Sequence, residues 1–286
     1  MPFPAQEDLA APPWPAWLEA ARVEDSLAAA AYEATPARFR AALKTGLALA
    51  HFHFGESATR RDEAELNGRL GLRRASRRLP APWALVILSP AYTAAARITA
   101  ACAAALLAGV PHVAALAPGA PPQAPALVSL ELSGVEDIFS PDIARVAALL
   151  DGLAALPGPC GRVVLLHDGD LADIAQRTRA RGIPCYEERV APRLRVECAA
   201  AIDLEALAFA HGGAKALEAA VTAGGPVDAV FLPAGEALAP VPDAPLALGP
   251  GCEAFWLHPG LGPEFFTVVR QAFGLRTPDF PGPDAS

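Results

Sequence analysis

Lysine is almost absent from this chain. It occurs only at Lys44 and Lys215, so arginine carries nearly all of the positive charge. The 23 basic residues are outnumbered by 31 acidic ones, which gives a net charge of -8. A negative charge repels polyphosphate backbones and anionic lipid surfaces, and this argues against general binding to nucleic acids or membranes. We therefore expect a small molecule or another protein as the partner.

Paired cysteines, a leader and a long apolar segment are also missing. The five cysteines include no C-x-x-C pair, which argues against both a zinc knuckle and a disulfide framework. The N-terminus does not combine a basic start with an apolar run, so no signal peptide is predicted. The most apolar stretch, 98–116, is interrupted by Gly109 and Pro111, which favours a buried helix and strand over a membrane span. These features predict a cytoplasmic protein.

What is present is an alternation of short apolar runs with helical segments from residue 82 onwards. This alternation is typical of βαβ units and predicts an α/β fold with mainly parallel sheets. The predicted strands are 84–88, 112–116, 135–139, 162–166, 195–199 and 228–232. The predicted helices are 93–108, 124–133, 141–153, 171–181, 203–222 with a break at Gly212-Gly213, and 263–273. We expect the first three strands to be parallel neighbours, because helical crossovers join them.

The predicted organisation has three parts. Residues 1–80 form an N-terminal helical arm with two helices separated near Thr35-Pro36, where Thr35 is a candidate cap for the second helix. Two Rossmann-like α/β domains follow, 81–156 and 157–286, with the boundary at the segment Leu156-Pro157-Gly158-Pro159. The arginine-rich stretch 60–78 is interpreted as a solvated helix and loop, with an anion site as the alternative.

Few side chains suggest chemistry. Cys252 and His258, with Glu253 between them, are a candidate nucleophile and base, although closeness in sequence does not establish the geometry of a dyad. His51 and His53 are two residues apart, so on a helix they point about 200° apart and cannot hold one metal ion. No metal site is predicted.

His211 precedes the two glycines that interrupt the predicted helix 203–222. The turn His211-Gly212-Gly213 is interpreted either as a simple break in that helix or as an anion-binding turn.

Several segments share an order with a known family. They are Leu49 with Phe52-His53, Ala108-Gly109-Val110, Ser133-Gly134-Val135-Glu136-Asp137-Ile138, Arg162-Val163-Val164-Leu165, Val230-Phe231-Leu232 and Phe265-Phe266. In these segments the chain resembles histidinol dehydrogenase. The resemblance implies an aldehyde-dehydrogenase-like α/β fold, NAD and zinc as cofactors, and a homodimer.

The family's catalytic motifs do not accompany the resemblance. The Gln-x-x-His zinc pair has no counterpart, and no Glu-His dipeptide occurs near 210–218. The family's Gly-Pro-Asn-His is reduced to Gly249-Pro250-Gly251-Cys252, and its Pro-Gly-Gly to Ser89-Pro90-Ala91. No G-x-G-x-x-G follows a strand. Ser89, Gly249 and Gly251 are therefore the remaining candidate positions for a cofactor, and neither NAD nor zinc is supported by the residues.

The resulting hypothesis is a non-catalytic relative, a pseudoenzyme that binds a small molecule or a protein in a cleft between its two halves. One alternative is an active NAD-dependent oxidoreductase that binds its cofactor differently. The other is a transferase or hydrolase that depends on Cys252.

Overall fold

The computed structural model describes residues 12–55, 61–67, 69–188, 191–235 and 241–275. The α-helices are α1 Asp25–Ala34, α2 Ala37–Phe54, α3 Ala95–Leu107, α4 Ala124–Leu132, α5 Ile143–Ala154, α6 Ala172–Ala180, α7 Leu204–Ala210 and α8 Ala214–Ala220. Short 3-10 helices lie at Ala16–Ala21, Ala199–Ala201 and Pro263–Phe266. Within the described ranges, no helix combines the length and the apolar character needed to cross a bilayer.

The strands form three sheets. They are β1 Arg61–Asn67, β2 Leu72–Pro80, β3 Ala84–Leu88, β4 Val113–Leu116, β5 Asp137–Phe139, β6 Arg162–Leu166, β7 Cys185–Glu188, β8 Leu194–Val196, β9 Ala229–Phe231, β10 Ala247–Leu248 and β11 Thr267–Leu275. Two sheets are parallel and the third is antiparallel. The predicted α/β class with mainly parallel sheets is confirmed.

The largest sheet has the strand order β5-β4-β3-β6-β7. Every residue of the central strand β3 is fully buried, as expected for a strand covered by helices on both faces. The predicted parallel pairing of β3 with β4 and of β4 with β5 is confirmed. From β3 the chain runs outward to β5 and then returns to add β6 and β7 on the other side. Two parallel neighbours whose connections leave in opposite directions create a switch point, here between β3 and β6.

The strand order corrects the predicted start of a second unit at residue 157. Strands β6 and β7 follow that boundary, yet they belong to the same sheet as β3. The segment before β6 is a close-packed turn, because a Cβ added at Gly161 would lie 2.0 Å from the Trp83 ring. The backbone N–H of Arg162 also donates to the Trp83 carbonyl at 3.0 Å. Proline and glycine here bring the chain back into the sheet, so they do not mark a linker.

The second parallel sheet has the order β10-β9-β8. Its helices α7 and α8 correspond to the predicted helix 203–222, and the predicted break falls at Gly212 and Gly213. Both glycines have a positive φ, of 101° and 100°, which ends α7 and starts α8 in a new direction. The predicted break is confirmed.

The antiparallel sheet, with the order β1-β2-β11, corrects two predictions. The stretch 60–78, predicted as a helix and loop, contains β1 and β2, and the predicted helix 263–273 gives way to β11 after one 3-10 turn. Opposite charges on facing residues of β1 and β2 explain why 60–78 forms strands, because Arg77 Nε donates to Asp62 Oδ1 at 2.9 Å. The β-branched start of β11, Thr267-Val268-Val269, favours a strand. The predicted helical arm therefore contains a β-hairpin.

Thr35 does not cap α2. Its hydroxyl donates to the Ala31 carbonyl at 2.8 Å and so closes the end of α1, while Pro36 occupies the N-cap of α2.

Candidate functional site

A cavity of about 290 Å³ lies at the carboxyl edge of the five-stranded sheet. Its wall is formed by residues that follow β6, by the end of β7, and by α3 and α6. The charged or polar members are Arg97, His167, Asp168, Glu187 and Glu188, and Ala172 and Ala191 are among the others. The carboxyl edge beside a switch point is where open α/β sheets bind ligands. The position alone makes this cavity the candidate site.

His167 holds the loop between β6 and α6. Its Nδ1 accepts hydrogen bonds from the backbone N–H groups of Gly169 at 2.9 Å and Leu171 at 3.2 Å. The ring proton must then be on Nε2, which lies 3.3 Å from Glu187 Oε1 without the alignment of a hydrogen bond. Because Nδ1 accepts two backbone hydrogen bonds and Nε2 carries the ring proton, His167 orients the wall of the cavity and has no free lone pair to act as a base.

Glu188 is the centre of a buried charged cluster. Its Oε2 accepts from Arg97 Nη1 at 3.1 Å and from the Tyr92 hydroxyl, and its Oε1 lies 3.7 Å from His258 Nδ1. The side chains of Arg97 and Glu188 are only 10% and 9% exposed. The guanidinium carbon of Arg97 also lies 5.2 Å from the centre of the Tyr92 ring. These contacts fix the floor of the cavity.

Burial determines the protonation states of Tyr92 and His258, the two ring side chains next to Glu188. It raises the pKa of Tyr92 well above 10, and the Glu188 charge adds to this, so the phenol stays a donor. Burial also lowers the pKa of His258. His258 Nε2 lies 2.8 Å from the Arg97 carbonyl, which can only accept, so this nitrogen carries the proton. His258 therefore ties the segment after β10 to the start of α3.

Three polar groups of the wall residues have no hydrogen-bond partner within the described ranges. Arg97 Nε and His167 Nε2 are buried and unpaired. The Asp168 carboxylate is exposed at the cavity, and the described residues donate no hydrogen bond to it. Unpaired donors on two buried wall residues and an unpaired acceptor on Asp168 thus occur together at this cavity.

The candidate dyad Cys252 and His258 is not assembled. Among the described residues, no hydrogen bond joins Cys252 to His258. The His258 ring is directed instead to the Arg97 carbonyl and the Glu188 carboxylate. Burial raises the pKa of the Cys252 thiol, which disfavours the thiolate at neutral pH. Glu253 Oε1 accepts from the backbone N–H groups of Gly251 at 3.1 Å and Asp203 at 3.2 Å. Glu253 therefore has a structural role in this turn.

The candidate cofactor positions lie on different sheets. Ser89 follows β3, whereas Gly249 and Gly251 follow β10. The turn after β3, residues 89–94, has no glycine, although a dinucleotide pyrophosphate requires close approach of the backbone there. These residues do not fit NAD.

Zinc does not fit the described residues either. They contain no group of three or more His, Cys, Asp or Glu placed to hold a metal ion. His51 and His53 are exposed at the end of α2. His211 is enclosed by aromatic rings, with the Trp256 ring centre 5.5 Å away, and burial lowers its pKa to about 3.

None of the cavity residues is among the candidates that the sequence suggests. A signal existed for His167 and Asp168, because a polar run follows the predicted strand 162–166 directly. Glu187 and Glu188 had no such signal, since β7 itself was not predicted.

Comparisons with known proteins concern the fold. No protein-family model and no curated protein matches the chain. Histidinol dehydrogenase from Elizabethkingia anophelis is similar in structure, with a TM-score of 0.56 and 11% identity over 90% of this chain and 77% of that chain. Succinate-semialdehyde dehydrogenase from Burkholderia pseudomallei gives a TM-score of 0.35 and 14% identity over 76% of this chain and 51% of that chain. The fold thus resembles that of histidinol dehydrogenase, as the sequence predicted.

Proposed function

We propose that this protein binds a small polar molecule in the cavity at the carboxyl edge of the five-stranded sheet and does not oxidise histidinol. The observation that carries the proposal is the exposed Asp168 carboxylate, to which no described residue donates a hydrogen bond, in the wall of a cavity that Arg97 also lines. A carboxylate and a guanidinium in one cavity wall attract a ligand that carries both signs of charge. We place binding here and not in a cleft between two halves, because the unpaired groups belong to this cavity.

The charged side chains of the cavity wall favour a ligand that carries both a positive and a negative charge. Glu188 is neutralised by Arg97, and Glu187 is paired with Arg179. Among the described residues of the wall, Asp168 therefore remains as the negative charge without a partner, and Arg97 and His167 keep buried N–H groups without an acceptor. A small zwitterion, with a carboxylate for Arg97 and an ammonium for Asp168, satisfies both. The volume lies at the lower end of the range of about 300–1,000 Å³ for ligand pockets, which favours a small metabolite over a dinucleotide.

Dehydrogenase chemistry has no support in the described residues. Oxidation of an alcohol to an acid requires a hydride acceptor and a base, and in the resembled family also zinc. His211 and His258 are the histidines that come nearest to serving as the base or as a zinc ligand. Both are buried with lowered pKa values, and neither is accompanied by a convergent set of metal ligands.

We expect Asp168→Asn to weaken binding of small zwitterions by about tenfold or more, because it removes a charge-assisted hydrogen bond worth about 1.5–3 kcal/mol. The measurement is a thermal-shift screen of amino acids, amines and carboxylic acids, followed by calorimetry on the best ligand. Asp170→Asn is the matched control, since Asp170 is an exposed neighbour outside the cavity wall. Equal effects of the two variants, or no ligand in the panel, would contradict the proposal.

We also expect Cys252→His to give no NAD reduction with histidinol, with or without added zinc. The exchange restores the imidazole of the family's Gly-Pro-Asn-His motif, but the metal ligands and the base stay absent, and groups that act as a unit are not rescued singly. Absorbance at the NADH band is the readout. Turnover by this variant or by the unaltered protein would establish the oxidoreductase alternative.

A further inference from the structure

The loop that carries Asp168 into the cavity wall is held by the ring of His167. This residue follows β6, and its Nδ1 accepts hydrogen bonds from the backbone N–H groups of Gly169 at 2.9 Å and Leu171 at 3.2 Å. Leu171 is the N-cap of α6, so the ring joins the end of β6 to the start of this helix. The Asp168 carboxylate lies between the two bonded positions. Its place in the wall therefore depends on the His167 ring.

The two hydrogen bonds require that Nδ1 carries no proton. A neutral imidazole accepts with one nitrogen and donates with the other, whereas a protonated imidazole donates with both. A proton on Nδ1 would set an N–H group of His167 against the N–H groups of Gly169 and Leu171, so both bonds would be lost. The loop conformation in the structure therefore belongs to the neutral ring, and the uptake of one proton ends it.

Two carboxylates are placed to stabilise the ring after it gains that proton. Asp170 Oδ1 lies 3.7 Å from His167 Nδ1, and Glu187 Oε1 lies 3.3 Å from His167 Nε2. The His167 side chain is only 3% exposed, so solvent screens these attractions weakly. A charged ring gains two opposite charges in exchange for the two backbone bonds. His167 thus has one set of partners for each protonation state.

The other charges near the ring are divided between the two states. The N-terminus of α6 and the guanidinium of Arg97 are positive and favour the neutral ring. Arg179 pairs with Glu187 and weakens the attraction of that carboxylate for the ring. The titratable and charged groups that line the cavity or contact its wall are Tyr92 after β3, Arg97 on α3, Asp168 and Asp170 on the loop, Arg179 on α6, and Glu187 and Glu188 on β7.

We infer that His167 is a positioning residue that makes the cavity dependent on pH. Its neutral ring holds Asp168 in the wall, and a proton on Nδ1 releases the loop and withdraws Asp168. The closed loop binds one proton fewer than the released loop, so the site is available at higher pH and is lost as the pH falls. The role of Asp168 in this inference rests on the proposed function, whereas release of the loop is a property of the chain alone.

Release of the loop is measured on the chain without ligand, by hydrogen exchange followed by NMR from about pH 8 to about pH 5, where imidazoles change charge. We expect the protection of the Gly169 and Leu171 N–H groups to fall by up to about tenfold per pH unit, the limit for release coupled to one proton. Ile183 is the internal control, because its N–H donates to the Thr178 carbonyl at 3.2 Å, and a carbonyl does not titrate. Constant protection of Gly169 and Leu171, or an equal loss at Ile183, would overturn the inference.

Replacing His167 with Asn separates the ring proton from other effects of pH. The asparagine oxygen accepts at every pH and commonly bonds the N–H two residues ahead, which here is Gly169. We expect His167→Asn to keep the protection of Gly169 and to lose its pH dependence. His51→Gln is the matched control, since it removes an exposed histidine of α2 and should leave the profile of the unaltered chain. A pH-dependent Gly169 in His167→Asn would reject the inference.

The ring nitrogens of the unaltered chain decide the matter if His167→Asn fails to fold. Correlation spectra of the histidine rings report the proton on each nitrogen. We expect His167 Nδ1 to gain its proton with the same midpoint as the loss of protection at Gly169 and Leu171. Two different midpoints would show that another group releases the loop.

The amino acids of the thermal-shift panel distinguish this inference from the proposed function. We expect those that bind at about pH 7.5 to bind up to about tenfold more weakly for each pH unit below the midpoint of the ring. Asp168→Asn should bind none of them, yet should still release its loop as the pH falls. A pH-dependent loop with no bound amino acid would contradict the proposed function alone. Binding that stays equally tight while the loop is released would overturn the link between His167 and the cavity.

Discussion

Replacing Glu188 with Ala is expected to lower the free energy of unfolding by about 3–5 kcal/mol. Among the described residues, Glu188 is the acceptor shared by the side chains of Arg97 and Tyr92, and both partners are buried. Its removal leaves a buried guanidinium without a counter-charge and a buried phenol without an acceptor. The loss is a large share of the total stability of a domain, about 5–15 kcal/mol.

The measurement is urea unfolding followed by circular dichroism. Asp243→Ala is the control, because Asp243 also pairs with an arginine, Arg195 at 2.7 Å, but its side chain is 45% exposed. Exposed pairs contribute about 0.2–1 kcal/mol, so the control should change little. A loss below about 1 kcal/mol for Glu188→Ala would show that Arg97 is not held as the structure describes.

The same cluster shows why the sequence predicts the sheet better than the site. Strands β3 and β6 are Ala84–Leu88 and Arg162–Leu166, and all of their residues after Arg162 or within β3 are apolar, as burial on both faces requires. Both were predicted to the residue. The partners in the cluster, in contrast, are far apart in sequence, since Arg97 and Glu188 are 91 positions apart. No local pattern connects an arginine in an alanine-rich helix with a glutamate at the end of an unpredicted strand.

The antiparallel sheet was missed for a related reason. A strand is recognised by apolar residues on alternate positions, which requires one buried face. All residues of β1 are exposed, so its sequence carries charges on both faces. Clustered arginines and acids then resemble a solvated helix, and only the register, in which Asp62 faces Arg77, shows that they pair between strands.

A second large effect on stability is expected at Gly46, in the interior of α2. Alanine normally stabilises a helix relative to glycine by about 1 kcal/mol. Here a Cβ would lie 2.2 Å from the carbonyl oxygen of Ala254, an atom of the backbone that cannot rotate away. We therefore expect the opposite sign, a loss of about 1–3 kcal/mol for Gly46→Ala, as for other overpacked sites.

Gly152 provides the matched control for this reversal, because it also lies within a helix, α5, and a Cβ there would have no neighbour within 4 Å. Gly152→Ala should follow helix propensity and stabilise the protein by about 0.5–1 kcal/mol. Thermal unfolding of both variants then gives shifts of the melting temperature of opposite sign.

Gly46 also allows α2 to lie against the turn that leads to Trp256 and His258, so its substitution should disturb the floor of the cavity. If Gly46→Ala raised the melting temperature as Gly152→Ala does, α2 could not pack on Ala254 as closely as the structure shows.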